Sequence, residues 1–363
     1  MRALILVDRF FTERVFEEVV KNIPFWGDVE RIYYTLPWPD CPLCEDEEVT
    51  EFIAYPREVM EEIPYVEIVI TQMGKIDAAL LRAGEKLRVV ACLRSGPVNI
   101  NVALAQEMGI PVFCVPDRSA QAVAEFALGL MLTCWRRVFQ ADRELRGGQW
   151  TQCAYFTWEN APPPFSECTV GLFGFGHVAR ALARLLKGLE CRIISFDPYV
   201  DGETMRNFSV EKVSSLEDFL SQADIVSLHL RGKKGEMVMG KKEFSFLKKG
   251  AIFINTSRGK LVDEKAFVAA LREGRLSCAA LDTFPKEPWV GDSPFLELDN
   301  VIVTPHIAGA SRSTARRGAQ VVAQLVADYF SGKEISECFW YSDPKKGDSF
   351  RVLSGYRCRD NAL

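Results

Sequence analysis

The stretch Thr169-Val170-Gly171-Leu172-Phe173-Gly174-Phe175-Gly176-His177-Val178-Ala179 decides the fold of this 363-residue chain. An apolar run, a glycine-rich turn and a second run free of helix breakers predict a strand, a tight turn and a helix. The glycines let the backbone approach a pyrophosphate, whose charge then meets the helix N-terminus. Alone the pattern is weak, because glycine triplets are frequent in turns. The residues of the turn that we predict to contact a dinucleotide are Gly174, Gly176, His177 and Val178.

An acidic residue follows at the distance expected of a dinucleotide site. Asp197 ends the next predicted strand, 21 residues beyond Gly176. A carboxylate there binds the adenosine ribose hydroxyls and repels a 2′-phosphate, which favours NAD over NADP. The alternative, a strand-end aspartate that only caps a turn, is the weaker interpretation in this strand–turn–helix context. We therefore predict NAD as the cofactor.

Further apolar runs lie on both sides of this motif, with helical stretches between them. Such a pattern predicts an α/β protein with parallel sheets covered on both faces. We also predict one long helix from Ala120 to about Leu145, capped by Ser119. Strands are predicted near 4–7, 66–70, 88–93 and 111–114 before this helix, and near 170–173, 192–196, 225–230, 251–255, 278–281 and 301–304 after it.

Composition excludes several classes of protein. Hydrophobic residues make up 48% and charged residues 26%, and the formal net charge of -5 favours neither nucleic acid nor an anionic membrane as a partner. No apolar run approaches the roughly 20 residues needed to cross a bilayer. The 11 cysteines follow no framework spacing, and the lone CxxC of Cys41 and Cys44 fits a loop better than a zinc or redox site. We expect a cytoplasmic protein without a metal.

The chain has only three histidines, so each can be weighed. His306 follows the last predicted strand and precedes small residues. Ligand crevices of open α/β sheets lie at strand C-termini, which makes His306 the best-placed proton donor or acceptor. His229 ends another apolar strand, where a core histidine with satisfied hydrogen bonds is at least as good an interpretation as a cofactor contact. His177 lies within the glycine loop, where its backbone N–H matters more than its side chain.

Charged residues follow two further predicted strands. In Asn255-Thr256-Ser257-Arg258-Gly259, the arginine offers a bidentate fork for the carboxylate and carbonyl of an α-keto acid, although a surface ion pair is the alternative. Asp282 ends the next strand, and Glu287 follows soon after. A carboxylate beside His306 would orient the imidazole and raise its pKa.

Taken in order, these motifs resemble those of one family, the D-isomer-specific 2-hydroxyacid dehydrogenases, which include D-3-phosphoglycerate and D-lactate dehydrogenases. The likeness covers about residues 65–330. Several motifs in the right order make chance agreement very small. Besides the glycine loop and Asp197, the matching stretches are Leu93 to Asn99, Ala122 to Gly129, Asn255 to Asp263, Leu281 to Pro288 and Thr304 to Gly309.

The resemblance implies hydride transfer between nicotinamide and C2 of a small D-2-hydroxy acid or 2-keto acid. Arg258 would bind the substrate carboxylate and carbonyl. His306 would exchange the hydroxyl proton, and Glu287 would pair with His306. The other implied contacts are those of Asp197, His229, Thr256, Asp282 (through the nicotinamide carboxamide) and Gly309 with the cofactor, and those of Gln72, Ser95 and Gly96 with the substrate.

The resemblance also implies two Rossmann-like doubly wound domains. A flavodoxin-like substrate-binding domain would comprise residues 1–117 and 307–363, and the NAD-binding domain residues 118–306. The family forms homodimers through the NAD-binding domain. The apolar run Ala122 to Trp135 agrees with burial there, but it does not separate an interdomain surface from an intersubunit one. We interpret the aromatic tail, with Phe339-Trp340-Tyr341, as packing across the first domain.

Departures from the family pattern leave the substrate open. Pro97 removes one N–H donor from the loop after Leu93. The basic residues Arg231 and Lys233-Lys234 keep the binding of a 2′-phosphate, and so of NADP, open as an alternative. Gln72 and Met73 favour a small or uncharged substrate side chain such as that of glyoxylate, hydroxypyruvate or a pyruvate-like acid, although Lys75 could reach a phosphate. Two alternatives therefore remain: a D-3-phosphoglycerate dehydrogenase, and an NAD-sensing protein like the transcriptional corepressors that resemble this family.

Overall fold

The computed structural model describes residues 1–230, 237–289 and 294–333. Within them the chain divides into two compact units: the first comprises Met1–Arg118 and the chain from Ser311 onward, and the second comprises Ser119–Ala310. Arg231, Lys233-Lys234 and the aromatic tail after Lys333 lie outside the described residues.

The later of the two unit boundaries lies four residues beyond the one expected from the sequence, at Ala310 instead of residue 306. The carboxylate of Asp282 accepts hydrogen bonds from the backbone N–H groups of Ile307, at 2.9 Å, and Ala308, at 2.8 Å. These bonds tie the residues after His306 to the second unit.

The sheet of the first unit is formed by β1 (Arg2–Val7), β2 (Glu30–Thr35), β3 (Ile68–Thr71), β4 (Val89–Cys92) and β5 (Val112–Phe113). All neighbouring strands are parallel, in the order β2-β1-β3-β4-β5. This is the flavodoxin-like order, as predicted. Every residue of β3 and β4 is buried, because a parallel sheet is covered by helices on both faces.

The sheet of the second unit is formed by β6 (Thr169–Phe173), β7 (Arg192–Phe196), β8 (Glu211–Lys212), β9 (Ile225–Leu228), β10 (Ala251–Asn255), β11 (Leu276–Leu281) and β12 (Val301–Val303). The strands are parallel, in the order β12-β11-β10-β9-β6-β7-β8. The order reverses between β6 and β9, as in doubly wound dinucleotide-binding folds. The structure thus confirms the predicted fold class and adds two edge strands that were not predicted: β2, none of whose residues is buried, and β8, a short strand of two polar residues.

The strands are connected by helices α1 (Glu13–Val20), α2 (Val59–Glu62), α3 (Ala78–Ala83), α4 (Val102–Glu107), α5 (Ala120–Trp135), α6 (Val138–Arg146), α7 (Gln152–Tyr155), α8 (His177–Leu186), α9 (Gly202–Arg206), α10 (Leu216–Gln222), α11 (Lys241–Phe246), α12 (Glu264–Arg272) and α13 (Arg312–Phe330). Short 3-10 turns lie at Pro24–Asp28, Ile63–Tyr65, Phe165–Glu167, Lys187–Leu189, Gly259–Leu261 and Pro294–Glu297. α13 belongs to the first unit, where Ala323 accepts a hydrogen bond from the indole of Trp26 at 3.0 Å. Within the described residues, no helix is both long and apolar enough to cross a membrane.

The long helix expected from Ala120 to about Leu145 is instead two helices. Arg137 adopts a left-handed backbone conformation, with φ of 54°, and separates α5 from α6. Ser119 precedes α5 as predicted, but its side chain makes no capping hydrogen bond. No glycine, asparagine or proline stands between α5 and α6, so the sequence pattern did not reveal this break.

Candidate active site

The glycine loop joins β6 to α8 at the C-terminal edge of the second sheet. Gly174 has φ of +91°, and a Cβ there would lie 2.7 Å from Leu230 Cδ2. Only glycine satisfies both conditions without strain. Around Gly176 no heavy atom lies within 4 Å of such a Cβ, so the N-terminus of α8 is open to a ligand. The backbone N–H groups of the first turn of a helix have no partner within the helix, which makes this end of α8 an anion site of the kind that binds a pyrophosphate.

Asp197, directly after β7, holds this loop. Its Oδ2 accepts a hydrogen bond from the backbone N–H of Phe175 at 2.8 Å, and its Oδ1 accepts one from Tyr199 at 2.8 Å. A carboxylate oxygen accepts more than one hydrogen bond, so both oxygens keep capacity for ribose hydroxyls. Asp197 therefore has a structural role beside its predicted one.

Two buried polar atoms beside the loop lack a partner within the described part of the chain. They are Nε2 of His229, which follows β9, and Oγ1 of Thr256, which follows β10. Burial lowers the pKa of His229 to about 3, so its imidazole is neutral. Buried polar groups in folded proteins are nearly always hydrogen-bonded. The orphaned atoms and the open helix end fit the polar groups of a dinucleotide, and they weaken the interpretation of His229 as a satisfied core residue.

The pair of His306 and Glu287 forms the chemical centre of the second unit. His306 follows β12 in a left-handed conformation, with φ of 54°, and its Nδ1 lies 2.6 Å from Glu287 Oε2. Oε1 of Glu287 accepts a hydrogen bond from the backbone N–H of Phe284 at 2.7 Å, which fixes the carboxylate. The hydrogen bond that His306 donates to Glu287 is the main cause that raises the pKa of His306, and burial opposes it. The imidazole is thereby oriented through Nδ1, which leaves Nε2 for a reacting group.

Asp282 organises the loop that carries His306. Its side chain is fully buried, and its Oδ1 accepts hydrogen bonds from Thr304 Oγ1 at 2.6 Å and from Ile307 N at 2.9 Å. Its Oδ2 accepts one from Ala308 N at 2.8 Å. The sequence assigned Asp282 only to the nicotinamide carboxamide, which stays a prediction. Nothing in the spacing of a strand-end aspartate signals that it gathers the backbone N–H groups of a later loop.

Arg258 lies exposed after β10, and its charge acts on His306 closely enough to lower the pKa of that residue. Its Nη1 donates to the carbonyl of Ser257 at 2.8 Å, and it forms no ion pair within the described residues. This speaks against the surface ion pair considered as the alternative. The neighbouring Gly259 packs directly on the backbone of Phe284, because a Cβ there would lie 2.0 Å from the Phe284 carbonyl carbon. That close approach brings the arginine loop beside the segment that carries Glu287. Gly309, the last predicted cofactor residue, lies in the same unit.

The predicted substrate residues Gln72, Ser95 and Gly96 belong to the first unit, where they follow β3 and β4. Gln72 is fully buried, and its amide binds Asp8 and Arg118. Sequence reasoning missed this network, because its members are far apart in the chain. Gly96 has open space around the position of a Cβ.

Lys75 does not offer a free ammonium group. Its Nζ lies 2.9 Å from a carboxylate oxygen of Asp46 and 2.9 Å from one of Asp77. These partners raise its pKa, so the charge is retained and already compensated. The expectation that Lys75 could reach a phosphate is therefore not supported. In the described part of the chain, no group of three His, Cys, Asp or Glu residues is arranged to hold a metal ion.

Comparison with known proteins gives concordant matches. Residues 128–308 match the family model described as D-isomer specific 2-hydroxyacid dehydrogenase, NAD binding domain. A D-3-phosphoglycerate dehydrogenase of Archaeoglobus fulgidus is 32% identical over 281 residues, which cover 77% of this chain and 52% of that protein. A glyoxylate reductase of Korarchaeum cryptofilum is 34% identical over 312 residues, which cover 84% of this chain and 93% of the reductase.

A solved D-lactate dehydrogenase from Treponema pallidum superposes with a TM-score of 0.75 at 22% identity, over 92% of this chain and 98% of that one, and shows a shared fold. The chain spans about half the length of the phosphoglycerate dehydrogenases that it matches.

Proposed function

Because the chain belongs to the D-isomer specific 2-hydroxyacid dehydrogenase family, we propose that it transfers a hydride between NAD and C2 of a small D-2-hydroxy acid or 2-keto acid. The family expected from the motifs is thereby confirmed, and so is NAD as the cofactor of its second unit. The observation that carries the proposed activity is the His306–Glu287 pair, with 2.6 Å between Nδ1 and Oε2, in the unit that also contains the glycine loop.

The residues of the second unit divide the chemistry between them. NAD, when bound, supplies or accepts the hydride. His306 Nε2 gives a proton to the carbonyl oxygen during reduction and takes it back from the hydroxyl during oxidation. Glu287 keeps the other nitrogen protonated, and Arg258 holds the substrate carboxylate and polarises its carbonyl. The carboxylate of Asp197 would hold the adenosine ribose hydroxyls and would disfavour a 2′-phosphate.

We place the binding of the substrate carboxylate also at the backbone of Ser95 and Gly96. Lys75 is already held by two carboxylates, which counts against phosphate recognition by the loop 71–75. This favours a small 2-keto acid such as glyoxylate or hydroxypyruvate over D-3-phosphoglycerate chemistry.

The test is a set of steady-state rates with NADH, followed by the absorbance of the reduced nicotinamide, across a panel of 2-keto acids. We expect turnover of at least one panel member and a clear preference for NADH over NADPH. Tight NADH binding without reduction of any 2-keto acid would refute the enzyme and favour an NAD-sensing protein. Turnover of phosphohydroxypyruvate alone would refute the small-acid assignment.

The assembly we propose is a homodimer formed through the second unit. After α6, which buries none of its residues, the chain exposes Trp150, Phe156 and Trp158 by 75%, 82% and 94%. Large exposed aromatic side chains close together in sequence are typical of an interaction surface. Sedimentation velocity should give a dimer for the native chain and a monomer for Trp158→Ser. A monomeric native protein would contradict the assignment.

We propose the cytoplasm as its location. All nine cysteines of the described residues are free thiols, which suits a reducing compartment.

A further inference from the structure

Polar side chains of the first unit meet at the carboxyl ends of neighbouring strands. Hydrogen bonds continue the sheet past β3, β4 and β5: Leu93 N donates to Thr71 O at 2.9 Å, and Val115 N donates to Arg94 O at 2.9 Å. Directly beyond these bonds lie Gln72 and the predicted carboxylate cradle around Ser95. Adjacent strands are about 4.8 Å apart, so the residues that follow them share one edge.

Arg118 lies at this edge with unused hydrogen-bond donors. Its Nη1 donates to Gln72 Oε1 at 2.7 Å, and its guanidinium makes no other hydrogen bond or ion pair within the described residues. A guanidinium carries five N–H donors, so most of them have no protein acceptor. Burial lowers the pKa of Arg118 to about 10, which still leaves the group charged at neutral pH but poorly solvated.

The other arginines near this edge differ from Arg118, because each has a carboxylate partner. Arg94 forms an ion pair with Glu51 and also donates to its backbone carbonyl at 2.8 Å. Arg317 forms an ion pair with Asp117 at 2.6 Å. Their charges are compensated within the first unit.

The carboxylate of Asp8 compensates the positive charge of Arg118 only in part. Its Oδ2 accepts a hydrogen bond from Gln72 Nε2 at 3.2 Å, so a neutral amide separates the two charges. Its Oδ1 is engaged by the backbone N–H groups of Phe10 and Phe11. Burial raises the pKa of Asp8 to about 6, which further weakens it as a counter-charge. A desolvated cation in this position is stabilised by a further anion.

We propose that Arg118 is a specificity-determining residue that binds a second carboxylate, on the C3 side of a small 2-keto acid. This rests on the proposed function, in which the backbone at Ser95 and Gly96, at the same edge of the first unit, binds the first carboxylate. The spare donors of Arg118 are then left for another group of the substrate. A guanidinium binds carboxylate and phosphate alike in a bidentate manner. Gln72, expected to face the substrate, acts as the positioning residue that holds Arg118.

The experiment compares kcat/KM for four 2-keto acids with NADH in the native chain and in Arg118→Gln. Glyoxylate has no C3, hydroxypyruvate has a neutral C3 substituent, oxaloacetate carries a carboxylate there and phosphohydroxypyruvate a phosphate. Arg118→Lys keeps the charge without the fork. Arg14→Gln is the control, since Arg14 is 87% exposed on α1 and its loss removes one positive charge from the same unit.

We expect the native chain to prefer oxaloacetate to hydroxypyruvate, and a preference for phosphohydroxypyruvate over both would overturn the carboxylate assignment. Arg118→Gln should lower kcat/KM for oxaloacetate by about 10- to 100-fold, the usual effect of a lost charged hydrogen bond. It should change the value for glyoxylate less than about threefold, which also shows that the variant is folded. Arg118→Lys should retain part of the preference, and Arg14→Gln all of it.

An equal loss on glyoxylate and on the acidic substrates would overturn the inference and assign Arg118 to the first carboxylate or to the fold. An unchanged preference in Arg118→Gln would overturn it too, while the proposed activity would stand. A native chain that reduces none of the four acids would overturn the proposed function together with the inference.

Discussion

The replacement Glu287→Gln tests the central pair of the second unit most directly. The carboxylate lies 2.6 Å from His306 Nδ1, and the two side chains are 33% and 46% exposed. Opposite charges about 4 Å apart attract by about 1 kcal/mol in water and about 4 kcal/mol at an effective dielectric constant of 20. Because both side chains are partly solvated, screening favours the lower part of this range. Loss of this attraction removes the main cause that raises the pKa of His306, so the variant should lower that pKa.

The sign of the effect on activity follows from the protonation state that each direction needs. Reduction of a keto acid requires His306 protonated, so kcat/KM for reduction falls as pH rises through the pKa of His306. In Glu287→Gln this fall should begin at lower pH, so the variant should lose reduction activity between its own midpoint and that of the native chain. Oxidation of the hydroxy acid requires the neutral imidazole, so its rise should begin at lower pH in the variant.

The assay is kcat/KM against pH in both directions, in buffers of constant ionic strength. Asp142→Asn is the matched control, because this carboxylate is 58% exposed and pairs with Arg146 on α6. It removes the same charge from the same unit without touching His306. Midpoints that do not move in Glu287→Gln would show that Glu287 does not set the protonation of His306, and would leave Arg258 and His306 as the only catalytic residues.

Three further replacements test other contacts of the second unit. Gly259→Ala should lower the free energy of unfolding by at least about 3 kcal/mol in urea titrations, because its Cβ would lie 2.0 Å from the Phe284 carbonyl carbon. Gly188→Ala is the control: the space around its Cβ is open, so the free energy of unfolding should change by less than about 0.5 kcal/mol. Gly174→Ala, at φ of +91°, should weaken NADH binding by about tenfold in fluorescence titrations, and unchanged affinity would exclude the glycine loop from the cofactor site. His306→Ala should reduce turnover by at least about 100-fold while the Kd for NADH stays within about threefold, and residual turnover near the native rate would exclude His306 as the proton carrier.

The sequence predicted most of the fold, because buried parallel strands are apolar runs that need no knowledge of their neighbours. Its errors lie at one break between two helices and at two edge strands, β2 and β8, which are not apolar buried runs. Arg137 separates α5 from α6 through a left-handed φ of 54°, although arginine is a good helix former. β8 has two polar residues and exists only because β7 offers it a free edge.

The residues of the candidate site could be predicted from the sequence where they follow a buried strand. His306 and Arg258 could be singled out because polar residues after buried strands collect at one edge of the sheet. The partners of Gln72 could not, because Asp8 and Arg118 are 64 and 46 residues away from it. Such contacts depend on which strands are neighbours in the sheet. The alternation of strands and helices along the sequence does not determine this order.

The conformation of the loop that carries His306 depends on Asp282, which the sequence analysis assigned only to the cofactor. A histidine with φ of 54° is held in a backbone conformation that costs about 1–3 kcal/mol. The fully buried Asp282 offsets this cost, since it accepts three hydrogen bonds from Thr304, Ile307 and Ala308 on either side of the histidine. The imidazole is therefore positioned twice, by Glu287 through its ring and by Asp282 through its backbone. A proton carrier fixed in both ways needs little reorganisation when a substrate arrives, which is the condition under which general acid–base catalysis is most effective.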